Sequence, residues 1–236
     1  MKILAVDTST ATCTVAVANG TGILAESVDS NGQTHARHLM GMIHNTLIAS
    51  GIPIQKIDGF AVVTGPGTFT GLRIGIGTIK GLAYASSRPV AGVNSLAALA
   101  AQADLPTKFI CPVMDARRNE VYYGLYAVED GEPVQIGIHS VAGPSELAKN
   151  IRASCQFIGK GARLYRETLE AALGSRAQFS HPCRDTIQAE TIARLALKQF
   201  RKNETQKLPE VVPCYIRRSD AELHFGNMQR SGLSAT

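Results

Sequence analysis

Two stretches of this chain combine residue types that can hold phosphate. Asp7-Thr8-Ser9-Thr10 ends a short apolar run and turns back on it. A carboxylate, hydroxyls and turn amides at such a place can bind phosphate through a metal ion. The same hydroxyls can equally satisfy backbone groups of the turn itself. The second stretch is Gly65-Pro66-Gly67-Thr68-Phe69-Thr70-Gly71, a glycine-rich loop that opens into a helix. Amides gathered at a helix N-terminus attract anions. The candidate nucleotide-binding residues are therefore Asp7, Thr8, Ser9, Gly65 and Gly67. The loop is not a P-loop, because no Gly-Lys-Ser/Thr follows, and Gly71-x-x-x-Gly75-x-Gly77 departs from the dinucleotide fingerprint. Tight backbone packing explains the same glycines, so both readings stand.

The helix after this loop carries Gly71, Gly75, Gly77 and Gly81. Each glycine inside a helix costs roughly 1 kcal/mol relative to alanine. What offsets that cost is close approach, of backbone to ligand or of helix to helix. Gly77, Gly81 and Ala85 recur every fourth residue and build a flat ridge among Ile76, Ile79 and Leu82. The ridge suits either an internal neighbour or a partner's helix. His35-x-x-His38, with His44 further on, has histidines at helical spacing but no third ligand or carboxylate nearby. No metal site is expected there. Ser9 and Ser95 have no evident histidine base and no Gly-x-Ser-x-Gly elbow is present, so no catalytic residue is assigned.

The elements that must position these residues follow from periodicity and turn signals. Ile3–Val6, Thr14–Ala18 and Ile23–Val28 read as a meander, with Asn19-Gly20 as a tight turn. A helix is predicted over Gln33–Ser50, then a strand Gly59–Val63, a helix Thr70–Ser86, a strand Pro89–Val93 and a helix Ser95–Ala103. The order repeats: strands Phe109–Met114, Glu120–Val128 and Val134–His139, a helix Ser145–Ala153, a strand Gln156–Ile158 and a helix Ala162–Leu173. Asp185, with Gln188 in the reciprocal capping position, is expected to cap a last helix through Gln199. The chain thus reads as a duplicated α/β protein of two mixed sheets. Its N-terminal part spans 1–104, its C-terminal part 105–225, and a flexible tail 226–236.

Composition narrows the class further. A net charge of +5 with no long Lys/Arg run gives no clear nucleic-acid footprint. The five cysteines are scattered and form no Cys-x-x-Cys pair. They fit a reducing compartment rather than a disulfide framework. Lys2 is followed by only four apolar residues, and no run nears the roughly 20 that span a bilayer. A soluble, cytoplasmic protein without membrane contact is expected.

Several segments together resemble the bacterial TsaB (YeaZ) family of tRNA threonylcarbamoyladenosine synthesis. They are Ile3-Leu4-Ala5-Val6-Asp7-Thr8-Ser9, Gly65 through Gly75, Gly92-Val93-Asn94-Ser95-Leu96-Ala97-Ala98-Leu99, Asp115-Ala116-Arg117-Arg118, Gly159-Lys160-Gly161-Ala162 and Pro213-Cys214-Tyr215-Ile216-Arg217. The chain departs from the family at His35-Ala36-Arg37, at Gly41 and at Thr64. The resemblance implies the actin-like (ASKHA) fold, two ribonuclease-H-like subdomains. It implies a non-catalytic subunit needed for threonylcarbamoylation of adenosine 37 in tRNAs that read codons beginning with A. That subunit binds the transferase TsaD, meets a TsaE-type ATPase and tRNA through the complex, and homodimerises when alone. The partner interface so implied comprises His35, Leu39, Ile43, Leu72, Gly75, Ile76, Ile79 and Gly81. Where the transferase family carries two metal-holding histidines, this chain has Ser95 and Leu99. No cofactor is expected, save ATP or ADP at the joint with the partner. Arg117 and Arg118 would crowd a triphosphate in the second subdomain. The competing reading is a nucleotide-binding ATPase or phosphotransferase using Asp7 and the Gly65–Gly71 loop.

Overall fold

Apolar runs bounded by turn residues build two sheets of one plan. The computed structural model describes residues 1–30, 35–104 and 106–217. In the first half, β1 (Ile3–Asp7), β2 (Cys13–Asn19) and β3 (Gly22–Asp29) form an antiparallel meander. Asn19 closes the β2–β3 turn by accepting the Thr21 and Gly22 amides on Oδ1. There follow α1 (His35–Ser50), β4 (Gly59–Gly65), α2 (Phe69–Ser86), β5 (Val90–Asn94) and α3 (Ser95–Ala100). β4 pairs parallel with β1, and β5 with β4, so the sheet runs β3-β2-β1-β4-β5.

The second half repeats that course. It comprises β6 (Phe109–Arg117), β7 (Glu120–Glu129), β8 (Glu132–Ala142), α4 (Pro144–Lys149), β9 (Cys155–Ile158), α5 (Lys160–Leu164), α6 (Arg166–Leu173) and β10 (Ala177–Phe179). Its sheet runs β8-β7-β6-β9-β10, again antiparallel for the first three strands and parallel for the rest. The mixed sheets and the duplication match the sequence reading. Every residue of β1 and β4 is buried, as both faces of those strands are covered.

Side-chain alternation sorts the core into layers. Leu4, Val6, Val15, Val17 and Val62 face α1 and α2 through Leu39, Ile43, Leu72, Ile76 and Ile79. Ile3, Ala5, Ala61, Val63, Ala91 and Val93 face the other way, onto α3 and the last helix, α7 (Ala189–Lys202). Ile110, Met114, Tyr126 and Ile158 of the second sheet close over the same two helices. Cys111, Val113, Val121 and Phe157 pack outward on α4 and α6. The result is five layers, with α3 and α7 in the middle.

Several expectations are corrected. Asp185 does not cap α7: Gln188 holds the N-cap position, and its side chain makes no cap bond. The Asp185 carboxylate is engaged elsewhere, as shown below. The helix expected over Ala162–Leu173 breaks at Tyr165 (φ −110°, ψ 25°) into α5 and α6. β10 was not expected, since Ala-Gln-Phe is too short to show a period. The division at 104/105 separates the two sheets. Yet α7 packs on β1, β2 and β5, the Cys214 amide donates to the Thr64 carbonyl at 2.7 Å, and Gln206 bridges to Val90. Residues 189–214 therefore return to the first sheet, and neither part is self-contained. Gln33, Arg218, the stretch 218–225 and the tail 226–236 lie outside the described residues.

Candidate functional site

Turns from both sheets meet at a cleft of about 290 Å³, lined by Ser9, Thr10, Gly67, Thr68, Leu99, Met114, Asp115, Arg117, Lys160, Leu164, Asp185 and Ile187. β1 ends at Asp7, 1% exposed and two residues before Ser9, which lines the cleft. Asp7 Oδ1 accepts the Ser9 amide at 2.7 Å, which closes an Asx turn. Burial pushes the Asp7 carboxyl above the usual carboxylate range, against the Ser9 hydrogen bonding and the charges of His35 and Lys160. The Ser9 hydroxyl is buried beside it without a well-formed hydrogen bond. Thr8 turns away from the cleft: its Oγ1 donates to the Gly71 carbonyl at 2.7 Å.

The Gly65–Gly71 loop packs against this turn. A Cβ on Gly67 would lie 2.8 Å from Ser9 Cβ, and one on Gly71 would run into the Thr8 carbonyl. The Thr68 amide donates to the Ser9 carbonyl at 2.7 Å. Gly65 is buried at φ +112°, where a Cβ would also lie 2.9 Å from the Cys214 carbonyl oxygen. The glycines thus serve close approach of loop to turn. Close packing accounts for Gly67 and Gly71, and the Thr68 amide is taken by the Ser9 carbonyl, while Gly67 and Thr68 still line the cleft.

The second sheet supplies the opposite wall. Arg117, Arg118 and Asn119 lie at φ 63°, 55° and 57°. This hairpin is held in place by Asp115, whose Oδ1 accepts the Arg117 amide at 2.8 Å. The Arg117 guanidinium stands at the mouth of the cleft, 3.6 Å from Asp115 Oδ2 and largely in solvent. Lys160 reaches across to donate to Thr12 Oγ1 at 3.2 Å, so it ties the two halves together. Asp185 accepts the Gly159 amide at 2.9 Å and the Ser180 hydroxyl at 3.1 Å on Oδ1, and pairs with Arg163 at 2.9 Å through Oδ2. These bonds fix the β9–α5 turn, so the residue read as a helix cap is the anchor of the cleft wall.

Asn94 caps α3 by accepting the Leu96 and Ala97 amides. The cap presents Ser95 as a fully buried hydroxyl without a hydrogen-bond partner, and Leu99 as a core side chain on the cleft. Among the described residues no three His, Cys, Asp or Glu side chains gather. His35 Nε2 bonds the Thr10 carbonyl at 2.7 Å and supports the Asp7 turn, while His38 and His44 are exposed on α1.

The interface residues expected on α1 and α2 divide in two. Leu39, Ile43, Leu72, Gly75, Ile76 and Ile79 are corrected to the inside: all are buried against the first sheet or the Thr8 turn. A partner cannot reach them while that core is packed. Gly81, with Gly77, lies on the outer face, where an added Cβ would meet nothing within 4 Å. Ala85 continues this open row, and Met40, Ile48 and Tyr84 stand exposed on the same pair of helices at 53%, 65% and 80%. One cluster was missed altogether. Phe69 and Tyr215 stack with centroids 4.9 Å apart, Arg73 lies 3.6 Å over the Phe69 ring, and its Nε donates to Tyr215 Oη at 3.0 Å. Tyr215 is far along the chain, so no local spacing announces the cluster. None of the helices among the described residues is long and apolar enough to cross a membrane.

Comparison with known proteins places this geometry. Residues 19–225 match the family model described as TsaD, tRNA N6-adenosine threonylcarbamoyltransferase. The Bacillus subtilis tRNA threonylcarbamoyladenosine biosynthesis protein TsaB is 29% identical over 98% of this chain and 100% of its own length. The structure of YeaZ from Pseudomonas aeruginosa superposes with a TM-score of 0.77 at 31% identity, over 91% of this chain and 99% of that one. A more distant likeness carries the fold alone. The activator of 2-hydroxyisocaproyl-CoA dehydratase from Clostridium difficile gives a TM-score of 0.52 at 9% identity, over 86% of this chain and 97% of that one. The architecture is the actin-like fold. With its two matching sheets, its Asp7 turn and its Ser95–Leu99 helix, the chain belongs to the TsaB (YeaZ) family, within the wider group that the TsaD family model describes.

Proposed function

We propose that this chain is a non-catalytic subunit in the formation of threonylcarbamoyladenosine on tRNA and acts by binding a TsaD-type transferase. The observation that carries the reading is the state of α3. A buried hydroxyl and a leucine occupy the two positions where the resemblance puts the transferase's metal-holding imidazoles. A leucine offers no lone pair, so this cleft lacks the ligand set of a Lewis-acid centre. The glycine loop is consistent with the same reading, because close packing on Ser9 and Thr8 accounts for Gly67 and Gly71 without a phosphate.

Binding is assigned to the outer face of α1 and α2. The open row Gly77–Gly81–Ala85 lets a partner's helix approach closely, and Met40, Ile48 and Tyr84 are exposed apolar side chains on the same two helices. The same face serves a homodimer when the transferase is absent. A TsaE-type ATPase and tRNA are met through the complex. The modified base is adenosine 37 of tRNAs reading codons that begin with A. The subunit takes no cofactor of its own, and ATP or ADP is held at the joint with the partner. It works in the cytoplasm.

The test is direct. The purified chain is mixed with its cognate transferase, and the mass of the mixture is read by light scattering. A complex is expected, and separate components at micromolar concentration would sink the proposal. Reconstituted tRNA modification, assayed with and without the chain, then reads its contribution. Calorimetry of the isolated chain with ATP and magnesium tests the ATPase reading, which requires micromolar binding lost in Asp7→Ala.

A further inference from the structure

His181 and Cys183 stand on the outer side of the segment that carries Asp185, away from the groups used above. His181 caps the short turn Pro182–Arg184: its Nδ1 accepts the Cys183 amide at 3.4 Å. The same Nδ1 lies 3.0 Å from the Cys183 sulfur. A ring nitrogen that accepts an amide hydrogen carries no hydrogen itself. In the tautomer with its hydrogen on Nε2, Nδ1 is the acceptor that faces the Cys183 thiol. The turn is held on both sides. Asp104 Oδ2 accepts the His181 amide at 3.5 Å, and Gln188 Nε2 donates to the Cys183 carbonyl at 3.3 Å.

The other thiols are placed differently. Cys13, Cys111 and Cys155 are buried, and desolvation pushes each of them up, Cys13 and Cys155 to about 12. Cys214 is exposed, but desolvation raises it too. The thiolate is the nucleophile of sulfur chemistry, so a thiol whose proton has a base at hand reacts ahead of its neighbours.

We propose that Cys183 and His181 form a nucleophile–base pair that makes Cys183 a modification site for small disulfides. The thiol proton passes to His181 Nδ1. The thiolate attacks one sulfur of R–S–S–R, a Cys183–S–S–R bond forms, and the R–S–S–R bond breaks. The departing R–S⁻ takes the proton from Nδ1 and leaves as the thiol. The small disulfide is the oxidant: one of its sulfurs is reduced as Cys183 is oxidised. The adduct sits two residues from Asp185, in a segment whose Arg184 and Thr186 carbonyls are held by Gln102 Nε2. Modification thus reaches the wall of the cleft from outside it.

The experiment uses the reduced native chain and limiting oxidised glutathione at neutral pH, with adducts located by peptide mass spectrometry. Cys183 is expected to be modified before Cys214. In His181→Asn the rate at Cys183 is expected to fall about tenfold, because the adjacent base that takes the thiol proton is gone. Asparagine can still accept the Cys183 amide but cannot take the thiol proton, so turn and base are separated. Equal rates at Cys183 and Cys214, or an unchanged Cys183 rate in the variant, would overturn the proposal. Should His181→Asn fail to fold by circular dichroism, the competition between the two cysteines in the native chain decides alone.

Discussion

The Thr8 hydroxyl occupies the place that a side chain at Gly75 would take, while donating a 2.7 Å hydrogen bond to the Gly71 carbonyl. α2 is thereby seated on the β1–β2 turn, and the Asp7 turn is held rigid from behind. Gly75→Ala is expected to destabilise the chain by about 1–3 kcal/mol, the usual cost of overpacking. Denaturant unfolding measures it. Gly75→Leu should disrupt the fold, so loss of partner binding in that variant says nothing about an interface.

Gly81 gives the opposite sign. Its outer side is open, so Gly81→Ala should stabilise the isolated chain by about 1 kcal/mol through helix propensity. Gly81→Leu should keep the fold and lower affinity for the transferase by tenfold or more, as read by light scattering with circular dichroism as control. Unchanged affinity would move the interface off this face.

Asp185 is predicted to matter for stability more than its turn position suggests. Its carboxylate satisfies the Gly159 amide, the Ser180 hydroxyl and the Arg163 guanidinium together. Removing one side of a largely buried pair leaves the other uncompensated. Asp185→Ala should cost about 2–4 kcal/mol, and Asp185→Asn less, since its oxygen can still accept the Gly159 amide. Urea midpoints of the two variants test the order.

Asp7 sets a pH dependence. Its carboxyl is raised by burial, so the folded chain keeps the proton to higher pH than the unfolded chain, whose carboxyl titrates near about 3.9. Between those two values the folded state binds more protons, and stability falls as pH rises through that window. Asp7→Asn cannot ionise, yet keeps an oxygen for the Ser9 amide. The variant should exceed the native chain in stability at pH 7, and the gap should close as pH falls through the window. Unfolding curves from pH 3 to 7 check the sign.

Patterns that repeat within one element were legible in the sequence. The runs through Val6, Val15 and Val62, and the helix faces of Leu39–Ile43 and Leu72–Ile79, place the strands and helices within a few residues. The same periodicity hid one distinction, because a helix face that packs on its own sheet looks like one that packs on a partner. Leu39, Ile43 and Ile79 went to the first. Residues whose role depends on a distant segment were not legible. Asp185 has the type and spacing of a cap, but its bond to Gly159 exists only because β9 and the 180–188 segment meet. Lys160 and Thr12, or Tyr215 and Phe69, are joined by tertiary structure across most of the chain.

The position of α7 between the sheets has a consequence for synthesis. The inner face of the first sheet, with Ile3, Ala5, Val63 and Val93, is covered by a helix translated after the whole of the second sheet. A nascent chain can pair β1 to β5 early, but it presents that oily surface until residue 202 has left the ribosome. Completion of the N-terminal core waits for α7, so a stop codon before it should leave a sticky product and not a smaller stable domain.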